Sequence, residues 1–412
     1  MTLAFHQHRL PNGLTVVAEA NDAAHTAAVG FFVRTGARDE DAPVMGVSHF
    51  LEHMVFKGTQ RRTADDVNRE FDEIGAEYNA YTSHEQTVYY AQVLPEYLPR
   101  AVDLLGDILR PALRDDDFNM EKNVILEEIG MYEDRPQWRL QDALLEEYFQ
   151  QHPLAFRVLG TNETITKLTP EQMRAYFAQR YSADNVIVAA AGQVDFDALV
   201  RDVEKLAGHW QASGAGRVFG EPAPFEHVRG MRDPRVTRHY IASLCPAPDA
   251  QDERRYTAKV LADVLGDTDG SRIYWALIDP GLAEEADLAY LPYDHTGVYM
   301  AYASCDPAAA ETVEQKLAQT IDHFADDVQA DEVERAKNKL ATQATLQGEN
   351  PGSRMRELGA RWQYLGNYAP LTEELERIMA VTREDVRELA GAFPFHPRTT
   401  VRLGPGGDGA GG

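Results

Sequence analysis

Laid over itself with a shift of 210 residues, the chain matches in three places. Residues 238–244 fall near the apolar run 27–33, and residues 257–265 fall on the helical pattern that carries His49-Phe50-Leu51-Glu52-His53. Val298-Tyr299-Met300-Ala301 falls on Val88-Tyr89-Tyr90-Ala91. One constant offset for three elements describes a duplicated domain. Residues 211–230, rich in Gly, Pro, Ala and Ser and without a period, read as the linker between the copies. The expected division is residues 1–210, a linker over 211–230, a second domain over 231–403, and a flexible Gly-rich tail over 404–412. At 412 residues and 44% hydrophobic, the chain has material for two cores.

Local signals fill in the first copy. Asn12-Gly13 between apolar runs is a hairpin turn, and 27–33 is a buried-strand candidate closed by 35–39. From residue 44 the period becomes helical and runs to Phe56, where Lys57-Gly58 supplies a basic last turn and a glycine stop. Further helical patterns cover 64–74, 95–109, 115–133 and 170–180, with strands near 87–93 and 185–192.

Several functions are disfavoured. Apolar runs fall short of the roughly 20 residues of a membrane helix. The N-terminus lacks the pattern of a secretory signal, which points to the cytoplasm. Cys245 and Cys305 are too few for a disulfide framework and fit a reducing compartment. A net charge of −26 argues against nucleic-acid phosphates and allows basic partners.

Within the 44–56 helix, His49 and His53 lie one turn apart, so their imidazoles can meet one ion, and Glu52 borders the same face within reach of a water on that ion. A histidine pair on a half-apolar helix is equally compatible with an ordinary core or surface. The repeat weighs against that reading, because the second copy carries Lys259, Ala262 and Asp263 at these positions. A third ligand is available on the 115–133 helix, where a wheel at about 100° per residue sets Glu121 and Glu128 within the apolar face of Val124, Ile125, Ile129 and Tyr132, with Glu127 pointing away. Carboxylates on a buried face are costly unless a cation compensates them, whether a metal or arginines.

The segments HFLEHMVFKGT, NAYTSHEQTVYY and EKNVILEEI together resemble the inverted-motif zinc peptidases of the pitrilysin family, notably the short two-domain members similar to the mitochondrial processing peptidase β subunit. The resemblance spans essentially the whole chain. It implies an α+β fold of two homologous domains, each a mixed, mostly antiparallel sheet packed with helices. It implies one zinc ion per chain held by His49, His53 and Glu128, with Glu52 as general base and Glu121 supporting a histidine ligand. It further implies a metalloendopeptidase in which Glu52 takes a proton from the attacking water and returns it to the leaving amine. Asn79 and Ala80 match a substrate-binding edge strand.

The second copy departs from this pattern. Ser271-Arg272-Ile273-Tyr274 fits the opening of the family's second-domain signature, but Ile278 and Glu284 stand where an Arg and a Tyr belong. Neither can donate a hydrogen bond to a substrate carbonyl. The expectation is a heterodimer whose homologous partner supplies the Arg and Tyr, with peptide substrates that include basic ones. Replacement from within the chain by Arg272, Tyr274 or Tyr290 is the lesser option, and homodimerisation without the partner is possible. The competing reading is a non-catalytic structural or binding subunit of a larger complex, yet such relatives typically lose the zinc motif, which stands here.

Overall fold

The computed structural model describes residues 3–406. Eleven strands are formed among the described residues. They are β1 (Leu3–Arg9), β2 (Thr15–Asn21), β3 (Ala27–Val33), β4 (Glu77–Thr82), β5 (Thr87–Val93) and β6 (Val186–Gly192). The remainder are β7 (His227–Arg232), β8 (His239–Pro246), β9 (Glu285–Tyr293), β10 (Thr296–Cys305) and β11 (Thr399–Gly404).

Two sheets result, ordered β1-β2-β6-β3-β5-β4 and β7-β11-β8-β10-β9. Each has one parallel contact, β2 with β6 and β7 with β11, and is otherwise antiparallel. The order β2-β6-β3-β5-β4 in the first sheet is therefore the order β7-β11-β8-β10-β9 in the second, so the duplication read from a constant shift is also a duplication of topology. The α+β class expected above is the one observed, with helices packed on mixed sheets.

Strands β3 and β6 are buried along their whole length, which suits their continuous apolar runs. Val29 and Phe31 meet Phe50, Leu51 and Leu105 on one face, while Phe32, Val17 and Ile187 meet Met355 and Leu358 on the other.

The compact units do not follow the two halves of the chain. One unit comprises Met1–Gly130, Phe156–Val218 and Leu346–Tyr368, and the other Met131–Ala155, Phe219–Thr345 and Ala369–Gly412. Each thus contains one helix from the opposite half: Pro351–Leu365 packs on β2, β3 and β6, and Pro136–Phe149 packs on β8 and β11. A boundary placed by composition at 211–230 does not register this exchange. That segment is also less loose than its composition implies, since Arg217 binds Asp39 and the Glu85 carbonyl within the first unit. Its last residues already form β7. Of the expected tail, Gly404 ends β11, and residues 407–412 lie outside the described residues.

Candidate metal centre and active site

The Val47–Val55 helix buries Val47, Phe50, Leu51, Met54 and Val55 in the first core, and this fixes which way its histidines face. Its start is shaped by Gly46 at φ 94°, where a Cβ would lie 2.6 Å from the Leu159 carbonyl oxygen. The Glu40 carboxylate accepts from the Gly46 and Ser48 amides at 2.7 Å each, satisfying the helix's first donors. Phe50 stacks on Phe118 with centroids 4.7 Å apart, which brings the Asp115–Glu133 helix alongside.

That packing gathers the ligand candidates. One donor atom each from His49, His53 and Glu128 lies within 4.8 Å of the others. Glu128 Oε2 stands 3.8 Å from His49 Nε2 and 3.6 Å from His53 Nε2. These separations are too long for hydrogen bonds and suit atoms that would share one ion. The His49 Nδ1 is buried with no hydrogen-bond partner. Burial, with the nearby His53, lowers the His49 pKa to about 3, which keeps its ring neutral and its lone pair available. Two imidazoles and a carboxylate, with no Lys or Arg paired to Glu128 among the described residues, form a donor set that suits zinc, so the residues present fit the ion.

Behind this trio, His53 Nδ1 meets Glu121 Oε1 at 2.8 Å, and Lys57 Nζ meets Glu121 Oε2 at 2.5 Å. The contact with Nδ1 turns the His53 Nε2 toward Glu128. Burial raises the Glu121 carboxyl, but the contacts from His53 and Lys57 outweigh it and leave the pKa lowered. On the same helix, Glu121 is 3% exposed while Glu127 is exposed. The wheel misplaced Val124, which is 44% exposed because the buried stripe runs through Phe118, Glu121, Ile125 and Ile129.

Glu52 projects beside the trio. Burial raises its carboxyl pKa, partly opposed by a hydrogen bond that Thr82 Oγ1 donates to Oε2 at 2.6 Å. Thr82 ends β4, the edge strand of its sheet, which pairs with β5 and has no other ladder partner among the described residues. Asn79 and Ala80 sit in mid-strand, with the Asn79 side chain turned back to accept from the Ala80 amide at 2.8 Å.

Lys57 and Thr82 escaped the sequence reading as site residues. Lys57 is one turn beyond His53, a spacing that could have flagged it. Nothing local marks Thr82, because its partner is 30 residues away.

In the second unit, the signature positions hold different chemistry. Ile278 packs on the second core and Glu284 pairs with Arg238 at 2.5 Å, both lining a cavity of about 520 Å³. Arg272 is tied to Glu332 and Asp327, and the Tyr290 hydroxyl donates to the Pro248 carbonyl at 2.9 Å.

Comparison with known proteins speaks to the family and the fold. The model of Insulinase (Peptidase family M16) matches residues 15–162, and that of the Peptidase M16 inactive domain matches residues 167–340. An uncharacterized zinc protease of Bacillus subtilis is 32% identical, covering 96% of this chain and 97% of its own. Another, from Mycobacterium tuberculosis, is 34% identical and covers 98% of this chain and 94% of its own. Among solved structures, a protease from Helicobacter pylori superposes with a TM-score of 0.92 at 19% identity, covering 98% of this chain and 100% of its own. A chain of Complex III2 from Candida albicans does so at 0.84 and 20%, covering 98% of this chain and 96% of its own. At such identities these two speak for the fold alone. The resemblance carried by HFLEH, NAYTS and EKNVILEEI is borne out over nearly the full length, and the chain belongs to the insulinase family of peptidases, M16.

Proposed function

We propose that this chain is the zinc-bearing subunit of a heterodimeric endopeptidase acting on peptides or unfolded polypeptides. The observation that carries the reading is the convergence of His49, His53 and Glu128 from two helices, with Glu52 on the same helix as the histidines. His49, His53 and Glu128 would hold one zinc ion, which when bound supplies an acidified water and a Lewis acid for the scissile carbonyl. Glu52 takes the water's proton, for which a carboxyl pKa raised by burial is suited, and delivers it to the leaving amine. Glu121 orients His53. The open side of β4 at Asn79 and Ala80 accepts an extended peptide as an added strand.

Support for a partner comes from the second unit. Ile278 and Glu284 cannot donate, while Arg272 and Tyr290 are committed to Glu332, Asp327 and the Pro248 carbonyl. A homologous subunit with the Arg and Tyr would complete the site. Its absence leaves a weak or silent enzyme.

The test is cleavage of a fluorogenic basic peptide library by the zinc-loaded chain, alone and with a candidate partner. Activity confined to the mixture, and lost by about 10²-fold or more with Glu52→Gln, is expected. Equal activity by the single chain sinks the heterodimer. Purification without stoichiometric zinc would favour a non-catalytic subunit instead.

A further inference from the structure

Among the described residues, it is Thr82 Oγ1 that donates a hydrogen bond to the Glu52 carboxylate, at 2.6 Å to Oε2. The two residues arrive by different routes, Glu52 on the Val47–Val55 helix and Thr82 as the last residue of the edge strand β4. The threonine is itself held. Its backbone pairs with Thr87 in the β4–β5 ladder, and its hydroxyl lies 3.5 Å from Thr87 Oγ1, which in turn donates to the Thr35 carbonyl at 2.9 Å. Thr87 is fully buried, so this support is rigid and dry. The hairpin beyond Thr82 is fastened too: Glu85, 1% exposed, pairs with Arg38 at 2.5 Å and accepts from the Tyr364 hydroxyl at 2.8 Å.

A carboxylate has two oxygens and rotates freely unless one is engaged. Here Thr82 engages Oε2 from the strand side, which leaves Oε1 as the oxygen available to accept a proton. We propose that Thr82 is a positioning residue that locks the Glu52 carboxylate in its proton-accepting orientation and couples that orientation to the strand on which substrate would lie. The proposal rests on the reading of Glu52 as general base. In the proton transfer, a water O–H bond breaks and the proton bonds to Glu52 Oε1, while Oε2 keeps accepting from Thr82. The pair left on the water oxygen forms the bond to the scissile carbonyl carbon, and the carbonyl π pair moves to its oxygen. The threonine retains its own proton throughout and never enters the bond changes. Because the hydroxyl sits at the end of β4, a peptide added along Asn79 and Ala80 would stiffen the same strand that holds the base, so bound substrate and correctly aimed carboxylate would occur together.

The experiment compares Thr82→Val, which keeps the branched shape and removes the donor, with Thr82→Ser, which keeps the donor and removes a methyl. Kinetics use whichever assembly turns over, the single chain or the mixture with its partner. The expected result is a kcat lowered about 10- to 100-fold by Thr82→Val, with KM and zinc content unmoved, and recovery to within a few-fold by Thr82→Ser. A second readout needs no turnover. In protein labelled at glutamate carboxyl carbons, the Glu52 resonance, identified by its disappearance in Glu52→Gln, is expected to shift in Thr82→Val and return in Thr82→Ser. Wild-type kcat in Thr82→Val, equal losses in both variants, or an unmoved Glu52 resonance would each overturn the proposal. Full activity in Glu52→Gln would instead overturn the assignment of the base, and that control separates the two failures.

Discussion

The division of labour between Glu121 and Glu128 comes down to their neighbours, although both sit on one face of one helix. Glu121 is engaged by His53 and Lys57, and Glu128 faces the free Nε2 atoms of both histidines. Replacing Glu121 by Gln keeps an oxygen for His53 but removes the charge that holds Lys57. Metal affinity is expected to weaken about 10- to 100-fold, read by competition with a chelator, without complete loss of the site. Glu128→Gln, a change to the ligand itself, is expected to abolish stoichiometric zinc. A second residue-scale consequence lies where the second copy has replaced His53. Burial and the neighbouring Asp267 raise the Asp263 carboxyl from 3.8 to about 7, against the pull of Lys339. An acid whose folded pKa exceeds its unfolded value holds an extra proton in the native state, so this group's contribution to stability is lost as pH rises from about 4 through about 7. Asp263→Asn is expected to flatten the fall in the urea midpoint across that window. An unchanged slope would show that Asp263 does not titrate as its surroundings dictate.

At the scale of elements, packing between helix and sheet has little tolerance. The Pro351–Leu365 helix approaches β3 so closely that a Cβ on Gly359 would stand 2.2 Å from the Phe32 ring. Phe32 is fully buried and cannot swing aside, so Gly359→Ala is expected to cost about 1–3 kcal/mol in chemical denaturation. This contact also shows where the sequence stopped being legible. Strong periodicity placed the 115–133 and 170–180 helices and the 27–33 and 87–93 strands at the observed residues. The hairpin turn at Asn12-Gly13 stands where it was read, between β1 and β2, but the Pro136–Phe149 and Phe196–Ala207 helices went unread, although the second is amphipathic and capped by Asp195. The zinc-site candidates were legible because two are four residues apart on one helix and the third falls on a computable face. Thr82 was not, because only the fold brings β4 to the helix bearing Glu52.

Over the whole molecule, duplication and exchange are one design seen twice. Pro136 and Pro351 open equivalent helices, and in each an arginine reaches an acid in or just beyond a strand of the sheet it covers. Arg354 Nη2 binds Glu19 Oε2 at 2.6 Å, and Arg139 binds Asp233. In the first unit, the helix that completes the fold is contributed from beyond residue 345, so the zinc-site candidates at 49–128 depend on chain that the linker separates from them. Without Pro351–Leu365, the face of Val17, Phe32 and Ile187 loses Met355 and Leu358 and is uncovered, and Glu19 loses its ion pair with Arg354. Exposing fully buried Val, Ile and Phe side chains costs about 1.5–3 kcal/mol each, together a large part of a domain's stability. A fragment of residues 1–210 is therefore expected to lack fixed tertiary structure, seen as lost near-UV dichroism and strong dye binding, and to retain no zinc. Co-expression with residues 211–412 restores the missing helix and, with it, the native dichroism and the metal. If residues 1–210 alone bound zinc with native stability, the exchanged helix would be a decoration of the sheet and no part of what holds the site together.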